Sequence, residues 1–149
     1  MHEFLKEIFA FLSKFEDSKL REENFKEFQR IYRRRTITEI ISSGYFLACY
    51  EPALILYEEA KKRGIPAQFV EMIDIERPLK DILSHCYVEL ELDEKWTIVD
   101  PIRKETPSEY PPSMVLFHKG EPSKWNSFDE FREAQEKFLR QKREEKSSK

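Results

Sequence analysis

Apolar residues in the first third of the chain recur at intervals of three and four, which is the spacing of amphipathic helices. The first such segment has its apolar stripe at Phe4, Leu5, Ile8, Phe9, Leu12 and Phe15. A cap at Asp17 or Ser18 is expected to precede a second helix, whose stripe consists of Phe25, Phe28 and Tyr32. Thr36 and Glu39 have the spacing of a capping box, so we expect a short third helix that ends at Gly44.

The segment between Cys49 and Pro66 predicts a longer helix that is apolar on almost every side. Three basic residues, Gly64 and Pro66 together form a strong stop signal at its end. Proline is tolerated in the first turn of a helix, so Pro52 indicates that the helix begins next to Cys49. Free N–H groups at that end favour a thiolate, and we therefore expect Cys49 to have a lowered pKa.

Strand patterns replace helix patterns after Pro66. Strands are predicted at 67–74, at 84–92, at 95–101 and, after a loop that contains three prolines, at 114–118. A second capping box then opens a C-terminal helix, whose buried side is predicted to carry Phe128, Phe131, Ala134, Phe138 and Leu139.

The predicted strand at 84–92 alternates apolar and polar residues, which assigns its side chains to two faces. Cys86 lies on the apolar face as a small core residue, whereas His85 lies on the other face. A tight turn at 93–94 would place Asp100 diagonal to His85, about 7 to 8 Å away at the backbone. Taken singly, a histidine on a strand and an aspartate before a proline are ordinary structural residues. Beside a free thiol, the same pair predicts a nucleophilic site with Cys49 as its reactive cysteine.

A length of 149 residues suggests one domain with one core. We expect N-terminal helices at 1–35, a catalytic core at 36–102, a strand and the C-terminal helix at 103–142, and a frayed polar tail at 143–149. Charged residues make up 37% of the chain, and such Lys/Glu enrichment is a feature of proteins from heat-loving organisms.

The net charge of −3 argues against a nucleic-acid-binding protein, so Arg33, Arg34 and Arg35 are expected at the exposed end of a helix. Charged residues interrupt the apolar N-terminus before a secretory leader could form, and no apolar stretch is long enough to span a membrane. Two cysteines without CxxC spacing suit a reducing compartment, and we expect a cytoplasmic protein. The cysteines and histidines lack zinc-ligand spacing, so neither a metal nor a cofactor is expected.

The motifs between Thr36 and Ile102 resemble those of the transglutaminase-like superfamily, whose members share a papain-like thiol site. The first block of the resemblance consists of Cys49, Ala53 and the sequence Gly64-Ile65-Pro66-Ala67. The second block consists of His85, Tyr87, Glu89, Trp96, Asp100 and Pro101. Two positions depart from the family pattern, because Leu47 stands where the family has glycine and Tyr87 where it has tryptophan.

The resemblance implies an α+β fold in which the nucleophile helix packs on an antiparallel sheet, with extra helices at both ends. It implies that Cys49 is the nucleophile, that His85 is the general base and that Asp100 orients the imidazole. Substrate contacts are expected from Tyr87, Tyr45 and Trp96, and the candidates for an oxyanion donor are Gln29, Tyr32 and Tyr45.

The activity that follows is acyl transfer from a peptide or protein amide through a thioester. Hydrolysis is favoured over transfer to an amine, because a small domain without a second module has water as its default acceptor. The alternative is a transglutaminase-like module that binds peptides or proteins without turning them over.

Overall fold

The computed structural model describes residues 1–147, and within that range the chain is of the α+β class that the sequence predicts. Its helices are α1 (Glu3–Leu12), α2 (Leu20–Glu23), α3 (Phe25–Ile31), α4 (Ile37–Ser43), α5 (Tyr50–Lys62) and α6 (Phe128–Ser147). Its strands are β1 (Glu16–Asp17), β2 (Tyr45–Phe46), β3 (Ala67–Asp74), β4 (Ser84–Leu92), β5 (Lys95–Val99) and β6 (Met114–Gly120). A short 3-10 helix, Leu79–Asp81, connects β3 to β4.

The four long strands form an antiparallel sheet in the order β5-β4-β3-β6, and β1 and β2 form a separate parallel pair. Asp93 and Glu94 make the tight turn between β4 and β5 with φ values of 52° and 66°. Two consecutive left-handed residues are typical of the hairpin turn whose twist matches that of the strands. Leu92 pairs with Lys95, which confirms the predicted register.

One face of the sheet carries the main core, and α5 and α1 cover it. From β3 and β4 this face receives Phe69, Cys86, Val88 and Leu90, all of which are buried. The small side chains of Ala53 and Ala60 let α5 approach the strands closely, and both are fully buried. This packing fixes the start of α5 over the same face as Cys86.

The N-terminal helices differ in detail from the prediction. The segment after α1 divides into α2 and α3, and the side chain of Asn24 caps α3 by accepting the N–H of Glu27 at 3.2 Å. Ser18 accepts the N–H of Leu20 just before α2, so the predicted cap makes only a local turn. The capping box at the start of α4 is confirmed, and Gly44 ends that helix with a φ of 75°.

The prediction that the three arginines lie at the exposed end of a helix is wrong, because α3 already ends at Ile31. The side chains of Arg33 and Arg35 are 4% and 8% exposed, and each forms a buried ion pair with a glutamate. Only Arg34 is exposed, and it donates to the carbonyl of Asn126.

Helix α6 begins where the sequence predicts, with the side chain of Ser127 accepting the N–H of Glu130 at 3.1 Å. The helix continues to Ser147 and so includes the residues just beyond Arg143 that the sequence predicts to fray. Arg143 donates to the backbone carbonyls of Ile75 and Arg77 and holds this end of the helix against the loop that follows β3. Residues 148–149, which the same prediction included, lie outside the described range.

Candidate active site

Cys49 is the residue directly before α5, at the helix end that the stop signals and Pro52 predict. The loop that leads to it is held by Glu51, whose carboxylate accepts the N–H of Leu47 at 2.7 Å. Glu51 is in turn held by Arg35, whose Nε lies 2.9 Å from its Oε2. The side chain of Cys49 is half-buried and packs against the main core. The buried ion pair therefore fixes the backbone that carries the thiol.

His85 and Asp100 meet across the β4–β5 hairpin, as the register predicts. Nε2 of His85 lies 3.0 Å from Oδ1 of Asp100. The same oxygen accepts the backbone N–H groups of Ile102 at 3.0 Å and Arg103 at 3.1 Å. The turn that follows Asp100 thus fixes the carboxylate, and the carboxylate fixes the imidazole. Because Nε2 is engaged, Nδ1 is the ring nitrogen left to exchange a proton with a thiol.

The pKa values of this pair shift in the directions expected for an imidazolium beside a carboxylate. Burial favours the neutral imidazole, but the hydrogen bond to Asp100 and the negative charges of Cys49 and Asp100 leave the pKa of His85 raised overall. Burial likewise raises the pKa of Asp100, yet the hydrogen bond and charge of His85 and the two N–H donors lower it overall.

The environment of Cys49 lowers its thiol pKa to about 6. The largest cause is a hydrogen bond from the thiol of Cys86, and burial of the Cys49 thiol opposes it. The positive charges of His85 and Arg33 lower the pKa further, as does the backbone N–H of Cys86. The pKa of Cys49 is therefore lowered, as the sequence predicts, but the principal cause is the thiol of Cys86 rather than the N-terminus of α5.

The structure places both cysteines at the main core, although the sequence pattern assigns them to separate places. Cys86 does point into the core and is 1% exposed, as predicted. However, α5 starts over the same face of the sheet, so Cys49 packs against the core cluster that contains Cys86. Burial and the neighbouring Cys49 raise the pKa of Cys86 well above its ordinary value, and Cys86 therefore stays protonated as the donor.

Two cavities flank the site, and Leu83 lines both of them. The larger one, of about 390 Å³, is bordered by His85, Asp100 and Tyr87 and by the loop that contains the three prolines. The smaller one, of about 100 Å³, contains Cys49 together with Tyr32, Phe128 and Phe131. Cys49 and His85 thus line different cavities, which have Leu83 in common, and the side chain of Leu83 is half-exposed.

Of the three predicted substrate-contacting residues, the structure brings only Tyr87 to the His85 cavity. The ring centroids of Tyr87 and His85 lie 4.7 Å apart in an edge contact. Trp96 pairs with Glu91, six residues along β4 from His85 and thus about 20 Å away. Tyr45 lies under the guanidinium of Arg35 and lines neither cavity. The structure therefore does not bring Trp96 or Tyr45 to either cavity, since sharing a strand face or a loop with a site residue does not place a side chain at the same end of the sheet.

Among the candidate oxyanion donors, Tyr32 is the one that borders the Cys49 cavity. Burial raises the pKa of its phenol, and the charge of Cys49 raises it further, so its O–H remains available as a donor. Gln29 lies in a separate surface depression with Arg30 and Arg34.

Sequence reasoning missed Arg33, whose guanidinium donates to both carboxylate oxygens of Glu71 at 2.7 and 3.0 Å. It also stacks 4.4 Å from the ring centroid of Tyr50 and 4.2 Å from that of Phe131. Glu71 pairs with Cys86 across the sheet, which brings the cation close to both thiols. The sequence does contain a signal for this pair, because Glu71 stands in the middle of a mostly apolar strand. A carboxylate that is fully buried in such a strand needs a cationic partner.

The rate at which iodoacetamide alkylates Cys49 is expected to reach half its maximum near pH 6. Only the thiolate reacts, so the rate rises as pH passes the lowered pKa and is constant above it. Replacing His85 with alanine removes a positive charge and should move this midpoint to higher pH. His2→Ala is the matched control, because His2 lies beside Asp93 at the other end of the hairpin.

Mass spectrometry of the two cysteine-containing peptides after timed labelling measures these rates separately. A midpoint at about 8.5, the value of an unperturbed cysteine, would contradict the expected environment of Cys49. Faster labelling of Cys86 than of Cys49 would contradict it as well.

No family model matches the chain, and neither a curated protein nor a solved structure matches it. Within residues 1–147, no helix combines the length and apolar character needed to cross a membrane. Over the same residues, no group of three or more His, Cys, Asp or Glu side chains is arranged to hold a metal ion.

Proposed function

We propose that this chain is a cysteine-dependent enzyme with a papain-like, transglutaminase-like core. It transfers the acyl group of an amide or peptide bond through a thioester, with water as the favoured acceptor. The observation that carries the proposal is the 3.0 Å contact between Nε2 of His85 and Oδ1 of Asp100, which leaves Nδ1 for the thiol. Cys49 and His85 each shift the pKa of the other, as a nucleophile and its base do.

In this mechanism the Cys49 thiolate attacks the carbonyl carbon and the amide oxygen becomes an oxyanion. The backbone N–H of Cys49 and the phenol of Tyr32 are the nearby donors proposed to stabilise that oxygen. His85 gives a proton from Nδ1 to the departing amine, and Asp100 stabilises the imidazolium before that transfer. Water then attacks the thioester carbonyl with His85 as its base, which releases the acid and regenerates the thiol.

The two cavities define how a substrate would lie. The acyl carbonyl must reach the Cys49 side of Leu83, while the leaving amine must reach the His85 side. Leu83 is 42% exposed, so rotation of its side chain would open a continuous path between them. The larger cavity, with its prolines and tyrosines, would then hold the part of a peptide that follows the scissile bond.

Replacing Asp100 by asparagine is expected to slow acyl transfer by about 10³- to 10⁴-fold while the chain remains folded. The amide would keep the shape of the carboxylate, but it can hold the imidazole in the wrong tautomer and cannot stabilise its positive charge. Asp93→Asn, in the exposed hairpin turn, is the matched control and should leave turnover unchanged. Turnover is measured on a peptide and amide library, which also identifies the acyl donor. Equal turnover by the two variants would contradict the role of Asp100.

The position of Cys49 outside the larger cavity favours one alternative, a module that binds peptides in the His85 cavity without cleaving them. The same library distinguishes the two functions. An enzyme yields product with the wild-type chain and none with Cys49→Ala, whereas a binding module retains the ligand intact with both.

A further inference from the structure

Two arginines line the cavity that contains Cys49, and the acyl-transfer mechanism gives neither of them a role. Arg21 belongs to α2 and Arg132 belongs to α6, so segments from opposite ends of the chain supply them. None of the described residues that line this cavity is an aspartate or a glutamate. The cavity of the proposed nucleophile therefore has two positive side chains and no negative one.

The two guanidinium groups lie against neighbouring aromatic rings instead of carboxylates. Cζ of Arg21 lies 5.4 Å from the ring centroid of Phe28. Cζ of Arg132 lies 5.6 Å from the ring centroid of Phe128, and the two rings are 6.1 Å apart. In the part of the chain that the structure describes, neither arginine forms an ion pair, and Arg132 donates to the neutral side chain of Gln135 at 3.1 Å. Both positive charges thus lack a counterion among the described residues.

Unpaired cations that are partly shielded from water favour an anionic ligand. Arg132 is half-buried, and burial is the largest cause that lowers its pKa, with the positive charge of Arg21 lowering it further. Ile82 and Phe131 give the same cavity apolar walls, and charges attract each other more strongly beside such walls than in bulk water. A guanidinium binds a carboxylate through two parallel hydrogen bonds. A carboxylate in this cavity would therefore supply the missing negative charge.

The larger cavity has the opposite balance of charge. Asp100, Glu105 and Glu109 line it, together with His85 and Arg103. An acidic group of a substrate is therefore favoured on the Cys49 side of the scissile bond and disfavoured on the side of the leaving amine. The Cys49 cavity, of about 100 Å³, has room for about three water molecules of 30 Å³ each, which is the scale of a carboxylate on a short chain.

We propose that Arg21 and Arg132 form an anion subsite in the Cys49 cavity, and that the preferred acyl donor carries a carboxylate near the scissile carbonyl. A peptide bond that follows a glutamate or an aspartate is such a donor. The two guanidinium groups hold the carboxylate while the carbonyl carbon reaches the thiol. The anion subsite requires only the cavity, whereas the substrate class rests on the proposed acyl transfer.

The first test compares how fast iodoacetate and iodoacetamide alkylate Cys49 in the full-length chain at one fixed pH. The two reagents have nearly the same shape, but only iodoacetate carries a carboxylate. Both react with the same thiolate, so the ratio of their rates does not depend on the pKa of the thiol. In Arg21→Gln and in Arg132→Gln, the ratio of the iodoacetate rate to the iodoacetamide rate should fall about tenfold from its wild-type value. Mass spectrometry of the two cysteine-containing peptides separates Cys49 from Cys86.

Arg30→Gln is the matched control, because Arg30 pairs with Glu27 at the surface and does not line the cavity. Its rate ratio should equal that of the wild type. Circular dichroism verifies that the variants fold. Arg21→Met and Arg132→Met repeat the measurement with side chains that keep an apolar stem against the aromatic rings but carry no charge. The proposal is overturned if the rate ratio is the same in the wild type and in every variant of Arg21 and Arg132.

The second test measures kcat/KM on peptides in matched pairs that differ only in having Glu or Gln before the cleaved bond. The wild type should favour the Glu member about tenfold, and Arg21→Gln and Arg132→Gln should lose this preference. Cleavage without a preference for Glu overturns the substrate class. A fall in the alkylation ratio in a chain that cleaves no amide supports the anion subsite while the acyl-transfer function fails. Cleavage with an alkylation ratio that all variants share overturns the anion subsite alone.

Discussion

Replacing Cys49 with alanine is expected to lower acyl-transfer activity by about 10⁵- to 10⁶-fold, the size of loss seen when the nucleophile of a triad is removed. No other side chain can form the thioester, because Cys86 is buried and its raised pKa keeps it protonated. The melting temperature should change little, since Cys49 sits half-buried at the edge of the core. Turnover on the amide library and thermal unfolding measure the two effects.

The matched control is Cys86→Ala, which removes the other thiol. It should destabilise the fold by about 1 kcal/mol, as is usual for a small truncation in a core. It should also raise the pKa of Cys49, because the hydrogen bond from Cys86 is the largest cause that lowers it. Activity should therefore persist in this variant. In its pH profile, the range in which turnover falls on acidification should move to higher pH. Equal loss of activity in both variants would contradict the assignment of Cys49 as the sole nucleophile.

Local patterns were sufficient for most elements because the signals that set them act within a few residues. The capping box at Thr36, the stop at Gly64 and the turn at Asp93 and Glu94 each depend on neighbours in sequence. The hairpin register follows from that turn, and the register alone brings Asp100 to His85. This is why the base and its orienting carboxylate could be placed before any three-dimensional information.

What the sequence could not provide is the set of contacts between distant segments. Alternation assigns Cys86 to the core face, but only the packing of α5 on that face shows that Cys49 lies there too. The pattern of Arg33, Arg34 and Arg35 is that of a surface run, but the partners of Arg33 and Arg35 lie on a strand and a helix farther along the chain. Trp96 lies on the sheet far from the His85 end, which strand alternation alone does not reveal.

Replacing Glu71 with alanine is expected to destabilise the fold by about 3 to 5 kcal/mol, the usual cost of removing one member of a buried ion pair. The Arg33 side chain is 4% exposed and that of Glu71 is 0% exposed, so neither group can find water when its partner is lost. Ser123 would be the remaining hydrogen-bond partner of the guanidinium. Unfolding by urea, followed by circular dichroism, measures the change in free energy.

The double variant Arg33→Met with Glu71→Leu separates the cost of an unpaired buried charge from the value of the pair. Apolar residues of similar size leave no charge behind, so this variant should recover most of the lost stability. Glu27→Ala is the matched control, because Glu27 pairs with Arg30 at the surface and its loss should leave the unfolding free energy unchanged.

The double variant should also move the alkylation midpoint of Cys49 to higher pH, since Arg33 is one of the charges that lower its pKa. If Glu71→Ala unfolds at the same urea concentration as Glu27→Ala, the pair does not support the fold. If the alkylation midpoint stays in place when both charges are removed, Arg33 does not act on the thiol.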